Sequence, residues 1–197
     1  MNSKKILFLL ISIPIIILSF YIFIKRHTLL AVIYQTIQLE DKAIESFYEA
    51  NDAYSYYQLG LIYKSKGLFD KAERVYLQLL TMQHDHPHAN YDLGYVYREM
   101  KLYDKALVQY QQALKIDPLN TYALSDIAYI FKEKGEYKKA LEMYDKVLEI
   151  DPSQKYALWD IAVVYEKLGM KERAEEQYKY YHKMTDCSFR RFWNCFD

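Results

Sequence analysis

The sequence contains few of the residues that interrupt regular secondary structure. Its 197 residues include only 5 Gly and 4 Pro, against 22 Tyr. Gly and Pro are the strongest local breakers, so their scarcity argues against a loop-rich β-sandwich. Few breakers combined with many amphipathic aromatic side chains favour helices whose surfaces are suited to contacts with other chains. The length fits one domain plus a short additional segment.

Motifs of known catalytic chemistry are also absent from the sequence. It has no G-x-S-x-G, no phosphate-binding glycine loop, no H-E-x-x-H and no C-x-x-C. The Glu and Lys residues follow the pattern of ordinary solvated helix faces. We therefore expect a protein that is not an enzyme, with no cofactor, no metal and no small-molecule substrate.

Charge is balanced over the whole chain but unevenly spread along it. Lys and Arg total 26, as do Asp and Glu, and residues 1–27 hold four basic residues and no acidic one. The remainder thus carries 22 basic and 26 acidic residues, a net charge of −4. A nucleic-acid partner requires a basic surface, so this mildly acidic body argues against one.

A long apolar segment lies near the N-terminus. Residues 6–24 form 19 consecutive positions without a charge, with two basic residues on each side. About 20 apolar residues span a bilayer, and a cleaved signal would have a shorter apolar core and an A-x-A-like site. The pattern predicts a tail over 1–5, a transmembrane helix over 6–24, and single-pass membrane localisation. The short basic tail favours repeats on the extracytoplasmic side.

An internal repeat of constant length dominates the rest of the chain. Three kinds of position recur four times each at a constant spacing: one with a small residue after an aliphatic one, one with alanine and one with tyrosine. They are Leu59-Gly60, Leu93-Gly94, Ile127-Ala128 and Ile161-Ala162; Ala72, Ala106, Ala140 and Ala174; and Tyr76, Tyr110, Tyr144 and Tyr178.

This pattern resembles the tetratricopeptide repeat, a unit of about 34 residues that follows W-x₂-L-G-x₂-Y…A-x₃-F…P. The resemblance implies an all-α fold, a right-handed α-solenoid of antiparallel helix pairs. Helices should break where Gly favours a positive φ, with one lysine departing from the pattern. The expected breaks are Gly67, Lys101, Gly135 and Gly169, and the repeats cover 53–86, 87–120, 121–154 and 155–188.

Both flanks of the repeats carry weaker signals. Residues 24–52 keep the internal spacing and are interpreted as a degenerate first repeat. Residues 189–197 place four aromatic residues on one helical face, as a capping helix or as a tail that inserts into a partner. A continuous helix would hold Cys187 and Cys195 about 12 Å apart, beyond the limit of about 7 Å for a disulfide. The capping helix and a disulfide are therefore competing readings.

The resemblance implies that the first helix of each repeat lines a concave groove. Tyr and Trp dominate binding hot spots, although they could instead fill space between neighbouring helices. Asp at the sixth position of three repeats would repel a carboxylate, which argues against an acidic chaperone tail. The predicted partner-binding residues are Tyr54, Tyr57, Tyr91, Tyr95, Tyr122, Tyr129, Tyr156 and Trp159.

Two readings of the function follow from these patterns. The first is a membrane-anchored scaffold or adaptor that binds a peptide segment or helix of a partner protein in the aromatic groove. The alternative is a structural subunit or assembly factor of a larger membrane-associated complex. His84, His86 and His88 could in principle supply metal ligands, but we interpret them as a polar turn between repeats.

Overall fold

The computed structural model describes residues 18–19, 21–33, 40–86 and 88–190. This part of the chain is helical and contains no strand, so the predicted all-α class is confirmed. The chain forms two compact units, unit 1 (Met1–Ala89) and unit 2 (Asn90–Asp197). The helices are α1 (21–33), α2 (Glu40–Ala50), α3 (Ala53–Ser65), α4 (Phe69–Met82), α5 (Ala89–Glu99), α6 (Tyr103–Ile116), α7 (Thr121–Glu133), α8 (Tyr137–Ile150), α9 (Lys155–Lys167) and α10 (Lys171–Arg190).

Short turns separate the two helices of each pair, at the predicted breaks. Gly67, Gly135 and Gly169 have φ values of 69°, 75° and 74°, which L side chains rarely adopt. Lys101 occupies the corresponding turn with a φ of 60°. The short turns bring consecutive helices back against each other, and α3 contacts α4, α7 contacts α8 and α9 contacts α10. The right-handed twist of the whole stack stays a prediction.

Unit 1 is organised around the pair α3 and α4. Gly60 is buried on α3, and a Cβ atom there would collide with the ring of Tyr76 on α4. Tyr76 is fully buried, so the glycine makes room for the aromatic side chain that fills the space between the helices. Asp52 caps α3, because its Oδ1 accepts a hydrogen bond from the backbone N–H of Ser55 at 2.7 Å.

The predicted membrane localisation is wrong, since no helix within the described ranges is long and apolar enough to cross a bilayer. Within the predicted span, residues 6–17 and 20 lie outside the described part.

Contacts within unit 1 hold the C-terminal half of α1 in place. His27 Nδ1 lies 2.7 Å from a carboxylate oxygen of Glu49. Thr28 Oγ1 donates to Asp52 at 3.1 Å, and Ala31 is fully buried. These contacts attach α1 to α2 and to the start of α3. The predictions of a single-pass location and of extracytoplasmic repeats are contradicted by the lack of a spanning helix among the described residues.

In unit 2 the pair α7 and α8 repeats the same construction with alanine in the glycine position. Ala128 on α7 and Ala140 on α8 are fully buried beside Tyr144. The side chains of Asn120 and Gln154 cap α7 and α9 by accepting backbone N–H groups at 3.0 Å and 2.8 Å. Capping fixes where each first helix begins, and thus which of its side chains line the site.

The last helix, α10, has 20 residues and is longer than the other second helices of the pairs. The backbone of Cys187 belongs to α10, whereas residues 191–197, including Cys195, lie outside the described part. The competing predictions of a capping helix and a disulfide therefore both stay open.

Candidate functional site: an aromatic cavity in unit 2

Unit 2 contains an open cavity of about 450 Å³. Its walls come from α5, α7 and α9, with one residue from α8 and one from the α9 cap. Aromatic rings dominate the lining, which consists of Tyr91, Tyr95, Arg98, Tyr122, Ser125, Asp126, Tyr129, Tyr144, Gln154, Tyr156 and Asp160. Five of the eight predicted partner-binding residues thus line one cavity.

The cavity exists where the aromatic pattern is interrupted. Tyr91, Ser125 and Trp159 occupy the same position in three successive repeats. Ser125 replaces a large ring with a hydroxymethyl group, and its Oγ accepts a hydrogen bond from Gln154 at 3.3 Å. Ser125 thus lines the cavity with a small side chain at a position where the preceding and following repeats carry large rings.

Two of the three charged residues of the cavity wall, Arg98 and Asp126, belong to a three-residue cluster with Tyr110, the first junction. Arg98 Nη1 donates to Asp126 Oδ1, and the Tyr110 hydroxyl donates to Asp126 Oδ2 at 2.9 Å. Arg98 also donates through Nη2 to Glu99 at 2.7 Å. Its guanidinium carbon lies 4.7 Å from the centre of the Tyr95 ring. The first junction thus joins three successive helices, α5, α6 and α7.

A second junction reproduces this arrangement in the next repeat, with Lys132, Tyr144 and Asp160. Lys132 Nζ donates to Asp160 Oδ1 at 2.7 Å, and the Tyr144 hydroxyl donates to Asp160 Oδ2 at 2.8 Å. Its three members lie on α7, α8 and α9. Both junctions use an acid from the first helix of one repeat to bind a cation and a tyrosine of the preceding repeat.

Burial sets the electrostatics of the first junction. The Asp126 side chain is 12% exposed, and this burial raises the pKa of its carboxyl although Arg98 and the Tyr110 hydroxyl act in the opposite direction. Burial, followed by the charge of Asp126, also raises the pKa of Tyr91 and Tyr110. Both phenols therefore remain protonated hydrogen-bond donors at neutral pH.

The rim of the cavity is formed by two tyrosines at equivalent positions of successive repeats. Tyr122 on α7 is 67% exposed and Tyr156 on α9 is 78% exposed. Within the described ranges, neither rim hydroxyl is hydrogen-bonded to another residue. The rim thus offers two ring faces and two hydroxyl groups to a ligand.

The other three predicted residues are placed elsewhere. Trp159 does not line the cavity: its ring packs on α10, with ring centroids 4.9 Å from Tyr178 and 5.3 Å from Tyr181. Tyr54 and Tyr57 belong to unit 1. Tyr54 is exposed and lies edge-on to Phe47, with ring centroids 6.4 Å apart.

The histidine cluster has a structural role in the turn before α5. His86 Nδ1 accepts backbone N–H groups from His88 at 3.3 Å and from Ala89 at 3.2 Å. The His86 ring also packs on Tyr57, with centroids 4.7 Å apart. The geometry therefore gives His86 the role of a cap at the beginning of α5.

Sequence reasoning missed the junctions. The sixth-position carboxylates were expected to repel an acidic ligand, but Asp126 and Asp160 are each bound to a cation and a tyrosine. The available signal was a cation at the twelfth position of one repeat followed by an acid at the sixth position of the next. Arg98 precedes Asp126 in this way, as Lys132 precedes Asp160.

Comparisons with known proteins agree with this architecture. Models of the tetratricopeptide repeat match residues 53–86 and 88–120, and a model of the TPR repeat matches residues 128–169. The curated proteins contain no significant match.

Solved structures share the fold at low sequence identity. A crystal structure of MamA superposes with a TM-score of 0.80 at 19% identity, covering 89% of this chain and 97% of MamA. MamA from Desulfovibrio magneticus RS-1, residues 41 to the end, gives 0.76 at 18% identity, covering 83% and 95%. YrrB, a TPR protein with an unusual peptide-binding site, gives 0.71 at 21% identity, covering 80% and 84%.

At these identities the likeness to solved structures shows the fold alone. The family assignment rests on the matched segments, which agree with the repeat period of the sequence and the helix pairs described above. The chain belongs to the tetratricopeptide repeat family.

Proposed function

We propose that unit 2 binds a segment of a partner protein in its aromatic cavity and that the chain acts as an interaction scaffold. The observation that carries the proposal is the convergence of Tyr91, Tyr95, Tyr122, Tyr129 and Tyr156 on one open cavity. Tyrosine supplies a large contact area with few rotatable bonds, so ordering it on binding costs little entropy. The proposal includes no membrane anchor.

The surroundings of these tyrosines support a binding role over a purely structural one. Core tyrosines such as Tyr110 and Tyr144 are buried and hydrogen-bonded to the junction carboxylates. The side chains of the rim tyrosines Tyr122 and Tyr156 are mostly exposed. An exposed ring at the mouth of a cavity contributes little to folding. Its contact area is therefore available to a partner.

A structural neighbour adds support from outside the chain. YrrB is named as a protein with a peptide-binding site, and its fold superposes on most of this chain. Protein segments are also the ligands that the repeat family as a whole accommodates on its concave surfaces. The proposed ligand class is therefore a segment of a protein chain.

Site-specific photocrosslinking tests the proposal. Benzoylphenylalanine in place of Tyr156 puts a reactive group on the cavity rim, and the same substitution at Tyr180 provides the control. Tyr180 is 44% exposed on α10 and does not line the cavity. We expect adducts from position 156 that map by mass spectrometry to one continuous segment of one protein, and none of these from position 180.

Two other results would count against the cavity. Adducts to a common partner from position 180 but not from position 156 would favour the alternative function, in which outer faces hold the chain in a complex. Adducts from position 156 scattered over many unrelated proteins would show that the rim is merely exposed. Either result overturns the proposed binding site.

A further inference from the structure

We propose that the occupant of the unit 2 cavity is an uncharged, proline-rich segment in the polyproline II conformation. This inference rests on the proposed function and names the chemistry of its ligand. Three features of the cavity carry it: the pairing of its charges, the spacing of its rings and the hydrogen-bonding groups at its rim.

Charge is the first feature. Every charged residue of the lining already has a partner of opposite sign, because Arg98 binds Asp126 and Lys132 binds Asp160. The two carboxylates also accept tyrosine hydroxyls. A charged ligand would have to break a partly buried ion pair or lose its own hydration without compensation. The complementary segment is therefore uncharged where it enters the cavity.

The spacing of the rings is the second feature. Tyr122 and Tyr156 occupy equivalent positions on α7 and α9, which are in direct contact. Packed helices lie about 8–10 Å apart, and side chains at equivalent positions of two such helices are separated by a similar distance. A polyproline II helix repeats every three residues, or about 9 Å at 3.1 Å per residue. Prolines at every third position would therefore meet successive rings.

Hydrogen bonding is the third feature. A polyproline II segment makes no internal hydrogen bonds, so its carbonyl groups are free to accept. The hydroxyls of Tyr122 and Tyr156 can donate to those carbonyls while their ring faces contact the proline rings. Aromatic-lined grooves of other domains recognise proline-rich segments by this combination of ring contact and polar donors.

Isothermal titration of the full-length chain with synthetic peptides tests the inference. The probe is an uncharged peptide of about twelve residues with proline at every third position. One comparison peptide has the same composition in scrambled order, and another is an uncharged amphipathic helix of equal length. We expect the probe to bind at least about tenfold more tightly than either, with little change between about 0.05 M and 0.5 M salt.

Variants assign the binding to the cavity. Tyr122→Ala combined with Tyr156→Ala should lower the affinity for the probe at least about tenfold. Tyr180→Ala, the matched control outside the cavity, should leave the affinity unchanged. Ser125→Tyr should fill part of the cavity and also reduce binding. Denaturation midpoints equal to wild type for the double variant show that the loss is not due to unfolding.

The outcomes separate this inference from the proposed function. Tighter binding of the helical peptide at the same tyrosines overturns the inference and leaves the proposed function standing. Equal binding of the probe and the scrambled peptide also overturns it, as does probe binding that the double variant does not weaken. If neither peptide binds, the inference falls, and the crosslink from position 156 decides the proposed function by itself.

Discussion

The two junctions of unit 2 have the same geometry but different depth and chemistry. In the first, Arg98 and Tyr110 hold Asp126; in the second, Lys132 and Tyr144 hold Asp160. The Asp126 side chain is 12% exposed and the Asp160 side chain 22%. The same repeat positions therefore carry unequal shares of the stability, and the contact between the second and third repeats should be the stronger one.

The cations explain much of the difference. The planar guanidinium of Arg98 reaches both Asp126 and Glu99 and lies over the rings of Tyr95 and Tyr129. The ammonium group of Lys132 is a point charge that forms an ion pair with Asp160 and lies 4.8 Å from the centre of the Tyr129 ring. A repeat array can thus keep one interaction scheme and adjust its strength by exchanging arginine and lysine.

The largest expected effect comes from removing the two carboxylates. Asp126→Ala leaves a buried tyrosine hydroxyl and a partly buried arginine without their main acceptor, and we expect a loss of about 3 kcal/mol. Asp160→Ala should cost about 1–2 kcal/mol, because its site is better solvated. Urea denaturation measures both losses. Equal losses would remove the proposed difference between the junctions.

Exchanging the cations is expected to act asymmetrically. Arg98→Lys loses the second carboxylate and the stacking on two rings, so we expect a loss of about 1–2 kcal/mol. Lys132→Arg keeps its ion pair and should change the free energy of unfolding by less than about 0.5 kcal/mol. If Lys132→Arg proved the more damaging exchange, the arginine-specific contacts could not explain the stronger first junction.

The turns of the two repeats offer a smaller and opposite effect. Lys101, between α5 and α6, has a φ of 60°, whereas the α7–α8 turn has Gly135 at 75°. Lys101→Gly removes backbone strain but increases the freedom of the unfolded chain. We expect a net gain of about 0.5 kcal/mol, and a loss from Gly135→Lys. A destabilised Lys101→Gly protein would show that the lysine side chain contributes more than its strain.

The smallest effect concerns pH. Burial raises the pKa of the Asp126 carboxyl in the folded protein above its unfolded value of about 3.9. The folded state therefore binds this proton more tightly than the unfolded chain. The protonated carboxyl contributes its full stabilisation below the unfolded pKa, and this contribution is lost as the pH rises through the folded pKa.

The difference in unfolding free energy between wild type and Asp126→Asn, which we call the margin, should accordingly shrink as the pH is raised from about 3.9 through that folded pKa. Denaturation of both proteins over this interval measures the margin, with Asp160→Asn as the matched variant of the second junction. A margin that grows with pH would mean that the ion pair outweighs burial and lowers the pKa instead.

Local signals in the sequence were enough to predict the repeats. The helix breaks follow from the need for a positive φ, which Gly67, Gly135 and Gly169 meet. The pairing of a small residue with an aromatic ring follows from the constant repeat period. Gly94 and Tyr110 are an example, since a Cβ atom at Gly94 would lie only 2.7 Å from the Tyr110 ring. Helix pairs depend on short-range rules of this kind.

The site was less predictable, because it depends on relations between repeats. The row of tyrosines was evident, but its convergence with Ser125 on one cavity depends on how successive repeats pack against each other. Asp126 and Asp160 looked like free charges, since their partners lie in the preceding repeat. The apolar N-terminal pattern predicted a span, but no helix among the described residues is long and apolar enough to cross a bilayer.

The central claim is that the charged residues of the cavity wall form ion pairs within the protein, so that the tyrosines are available to the ligand. A double-mutant cycle tests this claim most directly. Unfolding free energies of Arg98→Ala, Asp126→Ala and the double variant give their coupling, and Arg98→Ala with Asp160→Ala gives the matched control. We predict a coupling of about 1–3 kcal/mol for the first pair and none beyond about 0.5 kcal/mol for the second. Additive losses in the first pair would mean that Arg98 and Asp126 do not stabilise each other, and would contradict the claim.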